Sequence, residues 1–570
     1  MASGVRSAAR ARSLPDSERG GRLTRQERLT LIATILGSTV AFLDSTVVNV
    51  ALPAIQEDLD TGLAGQQWVV EAYMLTLVSL LLVGGSLGDL YGRKRLFEIG
   101  LAGFGVTSIL CAIAPTDEAL IGARALQGAA GALLVPGSLA ILAATFEGEA
   151  RGKAVGLWTA WSGISTLVGP AGGGLLVELD WRWIFWINVP LIVGTLWLTR
   201  RFVRESSDPE ARHGVDFTGI GLSAVGLGGP VFALIEQPTK GWGDPVVAVP
   251  LIVGVASFAA FIWWERRARA PMLQLELFRI RNFSMVNLET LCVYAGLIGS
   301  FFFLTLYLQQ VAGYSPFEAG LATTPTTLLL FLLSGRFGAL SARFGPRIPL
   351  TVGPIIGASG ILLLLRLTQD VDYLVDVLPA MVLFGLGLSI TVAPLTTTVL
   401  NSVEERHMGV ASGVNNAVAR VAGLIAIAAL GAVISAQFAS SLDDRLAAAA
   451  GSAEASRVVD EAKEQPLAGG DTSGLPAGEG QQLEDDIAAS SESAFHLGIG
   501  IAAGLMILGG LIALAGVRNP ERAPRPEVEH APGPAATVGE CGRTSHRSEP
   551  GPVPGTLEPE PAPAGGDPLL

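Results

Sequence analysis

Two apolar runs are joined by Gly85-Ser86-Leu87-Gly88-Asp89-Leu90-Tyr91-Gly92-Arg93-Lys94-Arg95. The glycines permit a tight turn and let helix backbones approach closely. Three consecutive basic residues close the stretch, and one acidic residue, Asp89, stands just ahead of them. An acid there can pair with the basic cluster or with the positive end of a neighbouring helix. A pair of this kind at a membrane rim would latch one conformation and release another. Gly85, Asp89, Gly92 and Arg93 are therefore the candidate latch residues.

The flanking runs, about 67–88 and 96–114, each suit a helix crossing a hydrocarbon core, which takes roughly 20 apolar residues. The pattern repeats along the chain. About fourteen such segments are expected, near 29–50, 67–88, 96–114, 118–143, 154–177, 184–203, 216–236, 246–264, 283–308, 318–340, 349–368, 374–400, 409–437 and 494–517. Half of the 570 residues are hydrophobic and only 16% are charged, against about a quarter in soluble domains. The fold class expected is an all-α membrane protein in contact with lipid throughout.

Orientation follows from Lys and Arg in the short loops. Arg93/Lys94/Arg95, Arg151/Lys153, Arg200/Arg201/Arg204 and Arg266/Arg267 fall on one side. Glu57/Asp58/Asp60, Asp117/Glu118 and Asp370/Asp372 fall on the other. This places the chain in a cytoplasmic membrane with both termini cytoplasmic. The basic N-terminal segment, 1–28, precedes a run too long for a signal peptide, so that run is read as a retained first span. The net charge of −13 gathers largely in an acidic segment, 438–493, and in the tail. The first is expected to be a solvated, partly helical extracellular insert. The second, 518–570, is rich in Pro and Gly and is expected to be disordered.

Other classes find no support. Cys111, Cys292 and Cys541 have no metal-ligand spacing, and the histidines form no catalytic constellation. Neither a metal nor a cofactor is expected. No basic domain suits nucleic acid. A Gly-x-x-x-x-Gly-Lys-Ser/Thr loop that would couple the chain to ATP is absent from the sequence. A secondary transporter rather than an enzyme is expected.

A degenerate copy of the opening stretch, Gly335-Arg336-Phe337-Gly338-Ala339-Leu340-Ser341-Ala342-Arg343-Phe344-Gly345-Pro346-Arg347, follows the tenth segment and lacks the acid. Its place matches the first if 29–203 and 283–517 are two related six-helix halves and 204–282 holds two extra linker helices. Such repeats underlie alternating access.

The stretch at 85–95 resembles the signature loop of the major facilitator superfamily. Leu43-Asp44-Ser45-Thr46-Val47-Val48-Asn49-Val50-Ala51-Leu52-Pro53 resembles the first-span motif of its fourteen-span drug:proton antiporters, the EmrB/QacA subfamily. Arg124-Ala125-Leu126-Gln127-Gly128 is similar to the superfamily's proton-linked arginine motif. Gly163 with Gly169-Pro170-Ala171-Gly172-Gly173-Gly174 resembles the fifth-span motif of antiporters. Trp68–Tyr73 and Trp181–Pro190 also fit the subfamily. The resemblance covers about 25–518. It implies a major facilitator fold and export of hydrophobic or amphipathic small molecules in exchange for protons. Proton-coupled uptake, or a membrane sensor or scaffold acting through the acidic loop or tail, are the alternatives.

Depth agrees with that resemblance. At 1.5 Å per residue, Asp44 lies about 22 Å into its span and Arg124 about 9 Å from the opposite face. Both fall at a similar level of a ~30 Å core, with Glu71 in the same layer. A lone charge there costs roughly 3 kcal/mol, which pairing offsets. Burial disfavours a charged carboxyl and a nearby arginine favours it, so opening and closing their contact would load and release a proton. Asp44 is the expected carrier, assisted by Glu71 or Glu289 and tuned by Arg124. Gly163, Gly169, Pro170 and Gly173 are expected to seal the interface between halves. Asn49, Gln127, Tyr294, Asn415 and Arg420 are candidates for the substrate cavity. Acidic residues at depth suit cationic compounds.

Overall fold

Thr24 starts the first helix: its hydroxyl accepts from the Glu27 amide while the Glu27 carboxylate accepts from the Thr24 amide, so each satisfies a donor the helix leaves free. From there the computed structural model is helical almost throughout. It describes residues 23–519 apart from 147, 208–215, 269–270, 272, 405–406, 447–452, 469–471 and 473–474. No strand occurs among the described residues. The expected tail, 518–570, lies outside them beyond Asn519, as does most of the basic N-terminal segment.

The helices are α1 (Arg25–Leu59), α2 (Leu63–Tyr91), α3 (Arg93–Ala112), α4 (Asp117–Thr145), α5 (Gly148–Val177), α6 (Trp183–Phe202), α7 (Phe217–Lys240), α8 (Pro245–Glu265), α9 (Arg281–Gln310), α10 (Pro316–Phe344), α11 (Arg347–Leu363), α12 (Leu378–Asn401), α13 (Met408–Leu446), α14 (Ala453–Glu464) and α15 (Ala477–Gly516). Among the described residues, twelve helices are long and apolar enough to cross a membrane. Two more, α2 and α5, stand where the second and fifth spans were expected.

Helices α1–α6 pack together, as do α9–α13 with α15. The α7–α8 pair leans on both groups: Val231 and Ile235 of α7 are buried against Leu424 and Ala428 of α13 and beside Trp68 of α2. The pair itself is tight, because a Cβ on Gly229 would meet the Pro250 carbonyl.

One end of the bundle carries the α1–α2, α3–α4 and α9–α10 turns together with α14; we call it the loop face. The other, where α1 begins and α15 ends, is the tail face. The halves meet near the loop face. Gln67 of α2 donates to the Ile427 carbonyl of α13 at 2.7 Å. Gln309 of α9 donates to the Val50 carbonyl of α1 at 3.1 Å, and Gln310 to Gln56 Oε1 at 2.5 Å. A Cβ on Gly174 of α5 would strike the backbone of Pro316 and Phe317, and one on Gly320 of α10 would strike Pro170. Bare glycine on each helix is what lets these backbones touch.

Within the acidic insert a helix forms, α14, and its apolar side packs on the bundle. α13 and α15 run past the bilayer limits set by hydropathy, and α14 lies across their ends. Ala455, Val459 and Ala462 of α14 are buried in one cluster with Ile55, Leu63, Phe438 and Leu442. Their i, i+4, i+7 spacing makes an apolar stripe, and the acids occupy the rest of the helix. Gln56 donates to Gln465 Oε1 at 2.8 Å, tying the insert to α1.

Candidate functional site

Asp44 is 2% exposed and Arg124 is 1% exposed, deep in the first half. Arg124 Nη1 donates to Asp44 Oδ2 at 2.5 Å. Asp44 Oδ1 accepts from Gln127 Nε2 at 3.0 Å and from Asn188 Nδ2 at 3.2 Å. Gln127 stands one turn after Arg124 on α4, so both side chains reach the same carboxylate. The guanidinium is held from its other sides. Nε donates to the Val69 carbonyl at 3.0 Å, Nη1 also donates to Gln127 Oε1 at 2.7 Å, and Cζ lies 4.3 Å from the Tyr73 ring centroid. Ser108 of α3 accepts from Gln127 at 3.0 Å and from Asn188 at 3.4 Å.

The arrangement joins α1, α2, α3, α4 and α6 through one acid. The carboxylate is surrounded by donors, which suits a charged oxygen pair. Parting the pair would separate side chains carried on α1 and α4. Sequence reasoning found Asp44, Arg124 and Gln127 but not Ser108 or Asn188. Asn188 lies inside the Trp181–Pro190 stretch, which was the available signal.

The other expected residues are dispersed. Glu71 and Glu289 are 0% exposed, and among the described residues neither carboxylate has a hydrogen-bond partner. Neither joins the Asp44 cluster. Glu289 is in the other half, on α9, where its own carbonyl lies against Gly509 of α15. Asn49 is half-buried with its side-chain oxygen unpartnered among the described residues, and Tyr294 is half-buried on α9. Asn415 donates to Asn287 Oδ1 at 3.2 Å and to Thr290 Oγ1 at 2.8 Å, pinning α13 to α9. Arg420 of α13 is half-buried. In α5, Gly169 and Gly173 receive Thr46 and Val47 of α1, and Pro170 faces Gly320 of α10.

At the tail face, Gly92 ends α2 with φ +103, a conformation that favours glycine. Directly after it, the Glu205 carboxylate accepts from the backbone amides of Lys94 at 3.0 Å and Arg95 at 3.1 Å. The Arg93 amide donates to the Ser206 carbonyl at 2.9 Å, and Lys94 Nζ donates to the Arg200 carbonyl at 3.1 Å. An anion thus closes the N-terminus of α3, but it comes from the segment after α6. Gly85, Asp89 and Gly163 fall within helices, yet their surroundings lie outside the described residues.

The second half repeats this join. Gly345 has φ +85. The Arg347 amide donates to Asn519 Oδ1 at 3.1 Å, and Arg347 Nε donates to the Leu514 carbonyl at 2.9 Å. Lys94 and Arg347 play the same part, each gripping the end of the last helix in its half. The copy keeps the geometry and loses the charge, Asn519 standing where Glu205 stands.

Two six-helix halves with a repeated rim joint, two added helices and a buried ion pair in one half make up a multi-pass membrane transporter. A family profile described as Major Facilitator Superfamily matches residues 34–427, and the chain belongs to that superfamily. The multidrug resistance protein Stp of Mycobacterium tuberculosis is 37% identical over 74% of this chain and 79% of its own length. The tetracenomycin C resistance and export protein of Streptomyces glaucescens is 33% identical over 90% of this chain and 95% of its own. Among solved structures, a bacterial homologue of the human lysosomal transporter Spinster aligns with a TM-score of 0.61 at 16% identity, covering 88% of this chain and all of the other. That likeness speaks to the fold.

Proposed function

We propose that the protein exports hydrophobic or amphipathic small molecules across the cell membrane in exchange for protons, by alternating access. The observation that carries the coupling is the Asp44–Arg124 pair at 2.5 Å, buried and shared among helices that must shift to part it. Export is supported by relatives named for resistance to tetracenomycin C, puromycin and methylenomycin A and for multidrug resistance. The chain divides into halves at 29–203 and 283–517 with linker helices between. The tail face is cytoplasmic, in keeping with its basic loops. The joining of the halves near the loop face supports reading this arrangement as the one closed toward the outside. Driving energy comes from the proton gradient and potential, the latter at about 2.3 kcal/mol per charge per 100 mV.

The test uses everted membrane vesicles holding an inside-acid gradient, followed with a pH-sensitive dye as compounds of the relatives' classes are added. Collapse of the gradient on addition, absent in Asp44→Asn, is the expected result. A variant that reaches the membrane and still exchanges protons for compound would sink the carrier role.

A further inference from the structure

Among the described residues, charged side chains deep within the spanning helices are Asp44, Glu71, Arg124, Glu289 and Arg420. The first four are between 0% and 2% exposed, and Asp44 and Arg124 neutralise each other. Arg420 differs on both counts. It is only half-buried, and among the described residues it has neither a hydrogen bond nor an ion pair.

Its place on α13 shows where the guanidinium is offered. Helical periodicity puts 416, 420, 427 and 431 on one stripe. Toward the loop face that stripe is closed by α2: Gln67 donates to the Ile427 carbonyl, and its side chain fills the space beside Gly431. One turn beyond Arg420 toward the tail face, Asn416 is exposed. The stripe therefore passes from sealed to open, and Arg420 stands at the transition, where α2 and α13 face each other across the two halves. On the opposing stripe of α2, Met74 is half-buried, an apolar surface that adapts to varied shapes.

A guanidinium offers five N–H donors in a planar fork that matches carboxylate, sulfonate or phenolate oxygens. Left bare at membrane depth it is costly, and an acidic group on a ligand would offset that cost. The carboxylates that suggested a preference for cations are either paired or completely buried. The charge a ligand meets on this stripe is positive.

We infer that Arg420 anchors the acidic head group of the transported compound, so that amphipathic anions are the preferred substrates. This rests on the export reading and adds the class of substrate.

The test pairs two fluorescent probes that differ by one sulfonate: 1-anilinonaphthalene-8-sulfonate and N-phenyl-1-naphthylamine. Each is titrated against the purified full chain in nanodiscs. Wild type should bind the sulfonate about tenfold more tightly than the neutral probe, the worth of a charge-assisted contact. R420Q should lose that preference with the neutral probe unchanged, and R420K should fall between. Equal sulfonate binding by wild type and R420Q would mean partition into lipid and would overturn the inference. So would a loss of both probes alike in R420Q, or tighter binding of the neutral probe by wild type. The titration needs no proton gradient, and Asp44→Asn should retain the sulfonate preference. Failure here with proton exchange intact in vesicles would remove the anion preference and leave export standing. Failure of exchange with the preference intact would do the reverse.

Discussion

Asp44 accepts from three side chains on two helices, so its removal and its partner's removal should have different costs. Arg124→Ala leaves a buried carboxylate without its cation, and breaking such a pair costs about 3–5 kcal/mol. A marked fall in the melting temperature of the purified protein is expected. The double variant Asp44→Asn with Arg124→Gln removes both charges and should recover most of that loss while remaining inactive in vesicles. A double variant as unstable as Arg124→Ala would show that the pair is not the origin of the loss. Asn188→Ala takes away one donor to the carboxylate, a bond to a charged group worth about 1.5–3 kcal/mol. It should lower the melting temperature less than Arg124→Ala does. Equal losses would contradict a secondary place for Asn188.

At the scale of elements, the joints between helices make the predictions. Glu205 supplies a charged cap to α3, and Asn519 a neutral one to α11. An anion at a helix N-terminus contributes about 0.3–1 kcal/mol, and loss of a cap about 1 kcal/mol. Glu205→Ala should therefore destabilise modestly, and Glu205→Gln by less. Asn519→Asp should stabilise slightly, an increment that high salt reduces. Thermal melts at two ionic strengths would show it, and destabilisation by Asn519→Asp would argue against the equivalence of the two rims. Between the halves, a Cβ on Gly174 meets backbone rather than a flexible side chain. Gly174→Leu should insert normally but reduce export severely, by forcing α5 from α10. Export at the wild-type rate would mean that this crossing never closes during transport.

For the whole molecule, the closed loop face is the testable feature. Gln67 and Gly431 touch across the halves. Cysteines placed at both positions, in a Cys541→Ser background, should be joined by a short thiol-reactive cross-linker. Joined protein should stop exchanging protons for compound, and a reducible linker should restore exchange on cleavage. Continued transport by fully cross-linked protein would rule out opening at this face.

Much of this was legible from residue order. Apolar length gave the spans, the two rim motifs gave the repeat, and equal depth brought Asp44 and Arg124 together before any packing was known. Those inferences use distance along a helix, which 1.5 Å per residue makes predictable. What the chain order left open depends on rotation about helix axes and on contact between distant segments. Ser108 and Asn188 are small polar residues in apolar helices, and only the packing of α3, α4 and α6 turns them onto one carboxylate. Glu205 caps a helix 111 residues away in sequence, a pairing that no spacing encodes. The insert's acids suggested a solvated segment, while its alanine and valine stripe found the helix ends. Arg420 was visible as a charge at depth. That it is half-buried and unpaired among the described residues, while the acids at depth are paired or sealed, is a property of the tertiary structure alone, because burial is decided by what packs around a side chain.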